Sequence, residues 1–155
     1  MKIVSLNWKR ELGRELPMGM FGENFTTEGM LENAMNLGDR FSVGSAEVVV
    51  TQPRLPCYKL GIRFGADDMV KRFLASGRTG FYLRVDREGE TGAADELVST
   101  GRDAIAVPLP AIVNLYMTKR YGAEELKLIG RVMRVEAVPD AWKDFFRKRA
   151  GEAAG

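Results

Sequence analysis

Glu47-Val48-Val49-Val50-Thr51-Gln52-Pro53-Arg54-Leu55-Pro56-Cys57-Tyr58-Lys59-Leu60 runs from a β-branched apolar stretch straight into a loop held by two prolines. Valine and threonine suit a pleated backbone, so residues 47–52 read as a strand. Pro53 and Pro56 lock φ and lack a backbone donor, which ends the strand and sets Cys57 in a stiff loop at its end rather than in the core. Working outward, short strands are expected over residues 41–43, 81–86 and 96–99, punctuated by Gly38-Asp39, Gly44-Ser45, Gly80 and Glu88-Gly89. This is the pattern of compact antiparallel β-structure. Two stretches interrupt it with helical spacing. One covers residues 5–12. The other covers 66–76, opened by Asp67 and Asp68, striped by Met69, Val70, Phe73 and Leu74 and closed by Gly77. That second helix is expected to pack on the sheet or barrel.

Near residue 105 the pattern changes, which divides the chain into residues 1–104 and 105–155. Pro110 opens a helix carrying Ile112, Val113, Leu115 and Tyr116. Residues 123–132 place Leu126, Ile129 and Val132 or Met133 on one side. Asp140 suits the N-cap of a helix over 141–149 whose apolar positions are Trp142, Phe145 and Phe146. Helices this short are marginal alone, so the three must pack on one another or on the β part. A small-residue tail covers 150–155. Met18, Met20, Met30, Met35, Met69, Met117 and Met133 are scattered and read as core filler.

Composition removes whole classes of chemistry. The 155 residues leave room for one ordinary domain, or one with a small appendage. No histidine is present, so Ser-His-Asp triads, Cys-His dyads and histidine-ligated zinc are excluded. The single cysteine, Cys57, forbids an intramolecular disulfide and multi-cysteine metal sites within one chain. A formal net charge of +2 implies neither a nucleic-acid nor a membrane partner. No apolar run reaches the roughly 18 residues that span a bilayer. With the lone thiol, this points to the cytoplasm.

Three segments carry candidate chemistry. A lone cytosolic cysteine is usually buried and structural. Here the rigid flanks and the cations Arg54, Lys59 and Arg63 outweigh that, because nearby positive charge favours the thiolate that acts as nucleophile or metal ligand. Gly22-Glu23-Asn24-Phe25-Thr26-Thr27-Glu28-Gly29 offers side-chain donors and acceptors to a polar ligand, although an Asx-type turn accounts for it equally well. Ser76-Gly77-Arg78-Thr79-Gly80-Phe81-Tyr82 sets exposed backbone N–H groups beside an arginine, which is an anion cradle or simply a helix stop followed by a turn. Lys143, Arg147, Lys148 and Arg149 make the last helix basic, which reads as a solvated face.

In this order, the 22–29 segment, Gly38-Asp39-Arg40-Phe41, the run from Gln52 to Leu60, and Gly77-Arg78-Thr79-Gly80-Phe81-Tyr82 strongly resemble the MOSC domain family, in particular its YiiM-type members with a C-terminal three-helix extension. The similarity runs from about Trp8 to about Arg149. The resemblance implies a mainly β fold, a MOSC-type β-barrel over 1–104 followed by a three-helix subdomain over 105–155. It implies binding of the molybdenum cofactor, a molybdenum pyranopterin, with Cys57 as catalytic residue and metal ligand. Asn24, Thr26, Gln52, Arg54, Lys59, Arg78 and Tyr82 are the implied cofactor-binding residues. The implied activity is reduction of N-hydroxylated small molecules such as hydroxylaminopurines, with electrons from a partner redox protein.

Family members begin with further strands, including a His-Gly-Gly motif, ahead of the region that here starts at Met1. Their lack leaves an expectation of open barrel edges. The chain is then a fragment, the product of a misplaced start, or a form closed by another chain, as in a homodimer. Two other classes of function stand beside the reductase: a cofactor carrier without turnover, and a cofactor-free truncated domain.

Overall fold

The structure, a computed structural model, describes residues 2–5, 8, 12, 13, 15–17 and 19–153. In chain order the elements are β1 (Lys2–Ser5), β2 (Phe25–Thr27), β3 (Asn36–Leu37), β4 (Arg40–Val43), β5 (Ala46–Pro53), α1 (Tyr58–Phe64), α2 (Met69–Ala75), β6 (Phe81–Arg87), β7 (Leu97–Gly101), β8 (Val107–Pro108), α3 (Leu109–Met117), α4 (Ala123–Arg134) and α5 (Asp140–Ala153). A 3-10 turn at Glu32–Ala34 precedes β3.

The apolar run Val48-Val49-Val50 forms the middle of the main sheet. All three are buried, which requires cover on both faces of β5. β5 pairs antiparallel with β6 on one side and β4 on the other. The β4–β5 turn is the two residues Gly44-Ser45, and Gly44 has φ +54°, a conformation glycine adopts without a Cβ penalty. The full order is β2-β1-β6-β5-β4-β7, antiparallel throughout except for the parallel β1–β2 pair. β2 and β7 end this order, so among the described residues the barrel is not closed. β3 and β8 form a separate small pair.

Two apolar cores result. The larger joins the sheet, through Phe41, Val43, Val49, Phe81 and Leu83, to the C-terminal helices, through Ile112, Leu115, Ile129, Val132 and Phe146. α3, α4 and α5 therefore bury their stripes against the β part as well as one another. Tyr116 stacks on Phe145 at 5.3 Å, and Trp142 and Phe145 flank the fully buried Phe146. The smaller core is aromatic: Trp8, Phe21, Phe64 and Phe73, with Leu60 and Met69. Trp8 stacks on Phe73 at 5.1 Å and Phe21 on Phe73 at 5.4 Å.

Several local expectations need correction. Ser5 closes β1, so no helix starts there; most of 6–12 lies outside the described residues, and Trp8 and Leu12 are helical. The polar 22–29 segment is not a pure turn, because its centre is β2, drawn into the sheet by β1. The 66–76 helix is confined to α2, and its buried Met69 and Phe73 join the aromatic cluster rather than the core of the sheet. α1 was not foreseen; two prolines just upstream masked its start. Leu126 is exposed, leaving Ile129 and Val132 as the buried positions of α4. Asp140 sits inside the first turn of α5, which extends into the small-residue tail as far as Ala153. Met117 is 53% exposed and not core filler, and Met18 lies outside the described residues. Arg149 leaves the solvated face, donating to the carbonyls of Tyr116 and Thr118. Among the described residues no helix is long and apolar enough to cross a membrane.

Because Phe146 lies in the core shared by sheet and helices, Phe146→Ala is expected to cost about 3–5 kcal/mol. Far-UV circular dichroism and tryptophan emission should lose stability together. Loss confined to the helical signal would show that the helices fold apart from the sheet.

Candidate functional site

The loop between β5 and α1 is set by one backbone clasp. Gly80, with φ +73°, presents a buried peptide whose N–H donates to the Glu32 carboxylate at 2.8 Å. The Gly80 carbonyl accepts from the Arg54 N–H at 2.9 Å and from the Thr79 hydroxyl at 3.2 Å. Three distant segments, 32–34, 54–57 and 78–80, therefore share one point.

Arg54 leaves this clasp with its side chain turned inward and only 8% exposed. The guanidinium lies over the Phe73 ring, 5.4 Å from its centroid, and its Nη1 has no hydrogen-bond partner among the described residues. Burial pushes its pKa down; the nearby Tyr82, Glu23 and Cys57 oppose the fall, and Arg63 adds to it. Those four groups therefore lie within electrostatic reach of a buried cation. An unsatisfied buried donor costs about 1–3 kcal/mol, more when charged, so the site keeps it at the expense of stability.

Cys57 is exposed and forms the N-cap of α1. Its carbonyl accepts from Leu60 N–H at 2.9 Å, while its thiol makes no capping bond and stays free for chemistry. Lys59 is exposed in the first turn of α1. Gln52 and Tyr82 are register partners across β5 and β6, both half-buried. Cys57 and Tyr82 thus lie within electrostatic reach of Arg54, with Gln52 beside Tyr82.

Arg78 lies two residues before Gly80. Its carbonyl accepts from Trp8 Nε1 at 3.0 Å, and its guanidinium lies 5.9 Å from the Trp8 ring. With Glu32, Leu31, Asn33, Ser76 and Gly77 it lines a cavity of about 280 Å³. Burial raises the pKa of Glu32, opposed by hydrogen bonds from backbone N–H groups, that of Gly80 among them, and by Arg78.

Asn24 and Thr26 serve a different space. They line a cavity of about 830 Å³ between β2, β4 and the approach to β7; among the described residues its lining includes Glu28, Asp95 and Glu96, holds no cation, and includes neither Cys57 nor Arg54. A cavity of this charge suits a neutral or cationic group, not a phosphate. From the same segment Glu23 turns toward Arg54; its carboxylate accepts from Gly19 N–H at 2.8 Å and Phe21 N–H at 2.9 Å. Glu23 and Glu32 are the site residues that sequence reasoning missed. Glu23 lay within a quoted segment, whereas nothing local marked Glu32.

A family model described as "MOSC domain" matches residues 5–102. The Bacillus subtilis protein YflK is 38% identical over 144 residues, a match covering 92% of this chain and 63% of YflK. A Gibberella moniliformis protein named "Reductase" is 27% identical over 137 residues, covering 88% of this chain and 24% of that protein. The crystal structure of YiiM from Geobacillus stearothermophilus superposes with a TM-score of 0.88 at 31% identity, covering 96% of this chain and 77% of that one. The chain thus spans less than two thirds of the length of YflK.

Two substitutions test the electrostatics. Arg54→Met removes the buried cation, keeps the Gly80 clasp, to which Arg54 contributes only its backbone N–H, and is expected to raise the unfolding free energy of the cofactor-free protein by about 1 kcal/mol. A loss of stability in urea titration would show that the guanidinium is satisfied. For Glu32 the folded-state pKa lies above the unfolded one, so the fold holds this proton more tightly. The stability contributed is complete below the ordinary glutamate value of about 4.3 and is lost as pH rises through the raised value. Glu32→Gln keeps an acceptor for Gly80 N–H and cannot ionise. The stability of wild type relative to this variant should therefore fall across that window, and a flat difference would contradict the burial argument.

Proposed function

The chain belongs to the MOSC domain family, and on that premise we propose that it binds the molybdenum cofactor through Cys57 and acts as an oxidoreductase on N-hydroxylated compounds such as hydroxylaminopurines. The observation that carries this reading is the pairing of an exposed thiol that makes no capping bond with a buried guanidinium three residues upstream whose Nη1 has no hydrogen-bond partner among the described residues. These groups fit a ligand with a thiolate-binding metal at one end and an anionic phosphate at the other. When bound, the cofactor would supply the metal centre and the redox chemistry.

The protein's own residues divide the remaining work. Cys57 would hold the metal through sulfur. Arg54 would give its unmade hydrogen bond to an anionic oxygen, so binding repays the cost of burying it. Lys59 and Arg78 would add positive charge for the phosphate, and Gln52 and Tyr82 would donate or accept hydrogen bonds along the pterin. Asn24 and Thr26, in the cavity lined by carboxylates, suit the uncharged pterin or a nitrogen base. The name of the Gibberella moniliformis relative favours a reductive direction, and electrons would come from a partner redox protein.

Metal analysis of protein from a cofactor-competent host tests the ligand. Wild type should carry molybdenum, and Cys57→Ala should lose about tenfold or more, as expected for losing a direct metal ligand. Equal molybdenum in both proteins, or none in either, sinks the assignment. Loaded wild type should then reduce hydroxylaminopurine with an artificial electron donor. A loaded but inactive protein would favour a carrier role.

A further inference from the structure

Away from Cys57, the connection between α3 and α4 meets the end of α5 in a cavity of about 310 Å³ lined by Lys119, Arg120, Tyr121, Arg149 and Glu152. Three of its five lining side chains are cationic and one is acidic. We propose that this cavity binds an oxyanion, a phosphate or carboxylate group carried by a small molecule, at a site separate from the Cys57 region and independent of the reading given for it.

Arg149 is the fixed element. Its two terminal nitrogens donate to the carbonyls of Tyr116, at 2.9 Å, and Thr118, at 2.5 Å, as α3 ends. Its guanidinium lies between two rings, 5.0 Å from the centroid of Tyr121 and 5.3 Å from that of Phe145. These contacts orient the charge without neutralising it, since neither carbonyls nor ring faces carry a full negative charge. Among the described residues Arg149, Lys119 and Arg120 form no ion pair with a carboxylate.

The nearby acids are engaged elsewhere. Glu124 pairs with Lys127 at 2.7 Å, Glu125 accepts from Gly122 N–H at 2.8 Å in the cap of α4, and Asp144 pairs with Arg147. Glu152 lines the cavity and Glu125 acts on Tyr121 from beside it, so among the described residues three cations outnumber two carboxylates. Tyr121 closes one wall; its hydroxyl donates to the Leu115 carbonyl at 3.1 Å, leaving the ring to shape the space. A multiply charged oxyanion relieves the repulsion among the cations and accepts from Lys119 and Arg120, whose side chains have no acceptor among the described residues. The volume is at the small end for ligand cavities, enough for the anionic group and the first atoms that carry it.

The test follows backbone amides by NMR during titration with inorganic phosphate or citrate, against chloride at matched ionic strength. Amides of residues 119–122 and 149–152 should shift and saturate with the oxyanions and not with chloride. The double variant Lys119→Gln with Arg120→Gln, checked for an unchanged fold by circular dichroism, should bind about tenfold or more weakly, corresponding to at least 1.4 kcal/mol. Lys127→Gln, whose lysine is paired on the exposed face of α4, should titrate like wild type. Tighter saturation by phosphate assigns phosphate esters, and tighter saturation by citrate assigns polycarboxylates; either upholds the site. Linear shifts equal to those in chloride, or an unaltered titration in the double variant, overturn it.

Discussion

At Gly80 one buried residue is held through both of its backbone polar groups. The Glu32 carboxylate takes its N–H, and the Arg54 N–H takes its carbonyl. A buried peptide left unpaired is expensive, so the segments that satisfy it are held in place by the same free energy. The arrangement of the site follows. Arg54 is anchored by its backbone while its side chain is driven inward, and the next turn of chain delivers Cys57 to the surface. Arg78, two residues before Gly80, is placed over the Trp8 ring of the aromatic cluster.

Around that clasp the molecule divides its apolar surface unevenly. The sheet and C-terminal helices share a large aliphatic core, whereas the floor of the site is a small aromatic cluster built from Trp8, Phe21, Phe64 and Phe73. An aromatic floor suits a buried arginine, because a ring face partly compensates a cation that aliphatic side chains would leave isolated. Phe73 serves both purposes, filling the cluster and lying under Arg54. A group held in this way is a poor contribution to stability and a good donor for an anion, which is the balance expected of a binding site rather than a core.

Much of this was legible in particular residues. Val48-Val49-Val50 announced a strand, and the glycine-bearing turns marked its neighbours. Pro53, Pro56 and the lone Cys57 announced an exposed thiol, which the structure shows. The three late helices followed from their apolar spacing, although Leu126 was assigned to the wrong face because a single leucine fits two adjacent positions of a stripe. β1 and β2 were not legible. Their parallel pairing joins residues more than twenty positions apart, and Phe25-Thr26-Thr27 looks like a turn until a partner strand satisfies its backbone.

By itself the sequence determined the order of elements and the chemical kinds of group available: one thiol, no imidazole, and cations flanking a proline-stiffened loop. Those follow from local backbone restriction and composition, which need no knowledge of distant contacts. Only the tertiary structure decided which charges meet. It buried Arg54 and left Lys59 in solvent, turned Glu23 toward Arg54 while its neighbour Asn24 lines an acidic cavity, and brought Glu32 to Gly80 across 48 positions of chain. Burial and proximity set the energy of a charge, and both are properties of packing between remote segments rather than of any stretch read alone.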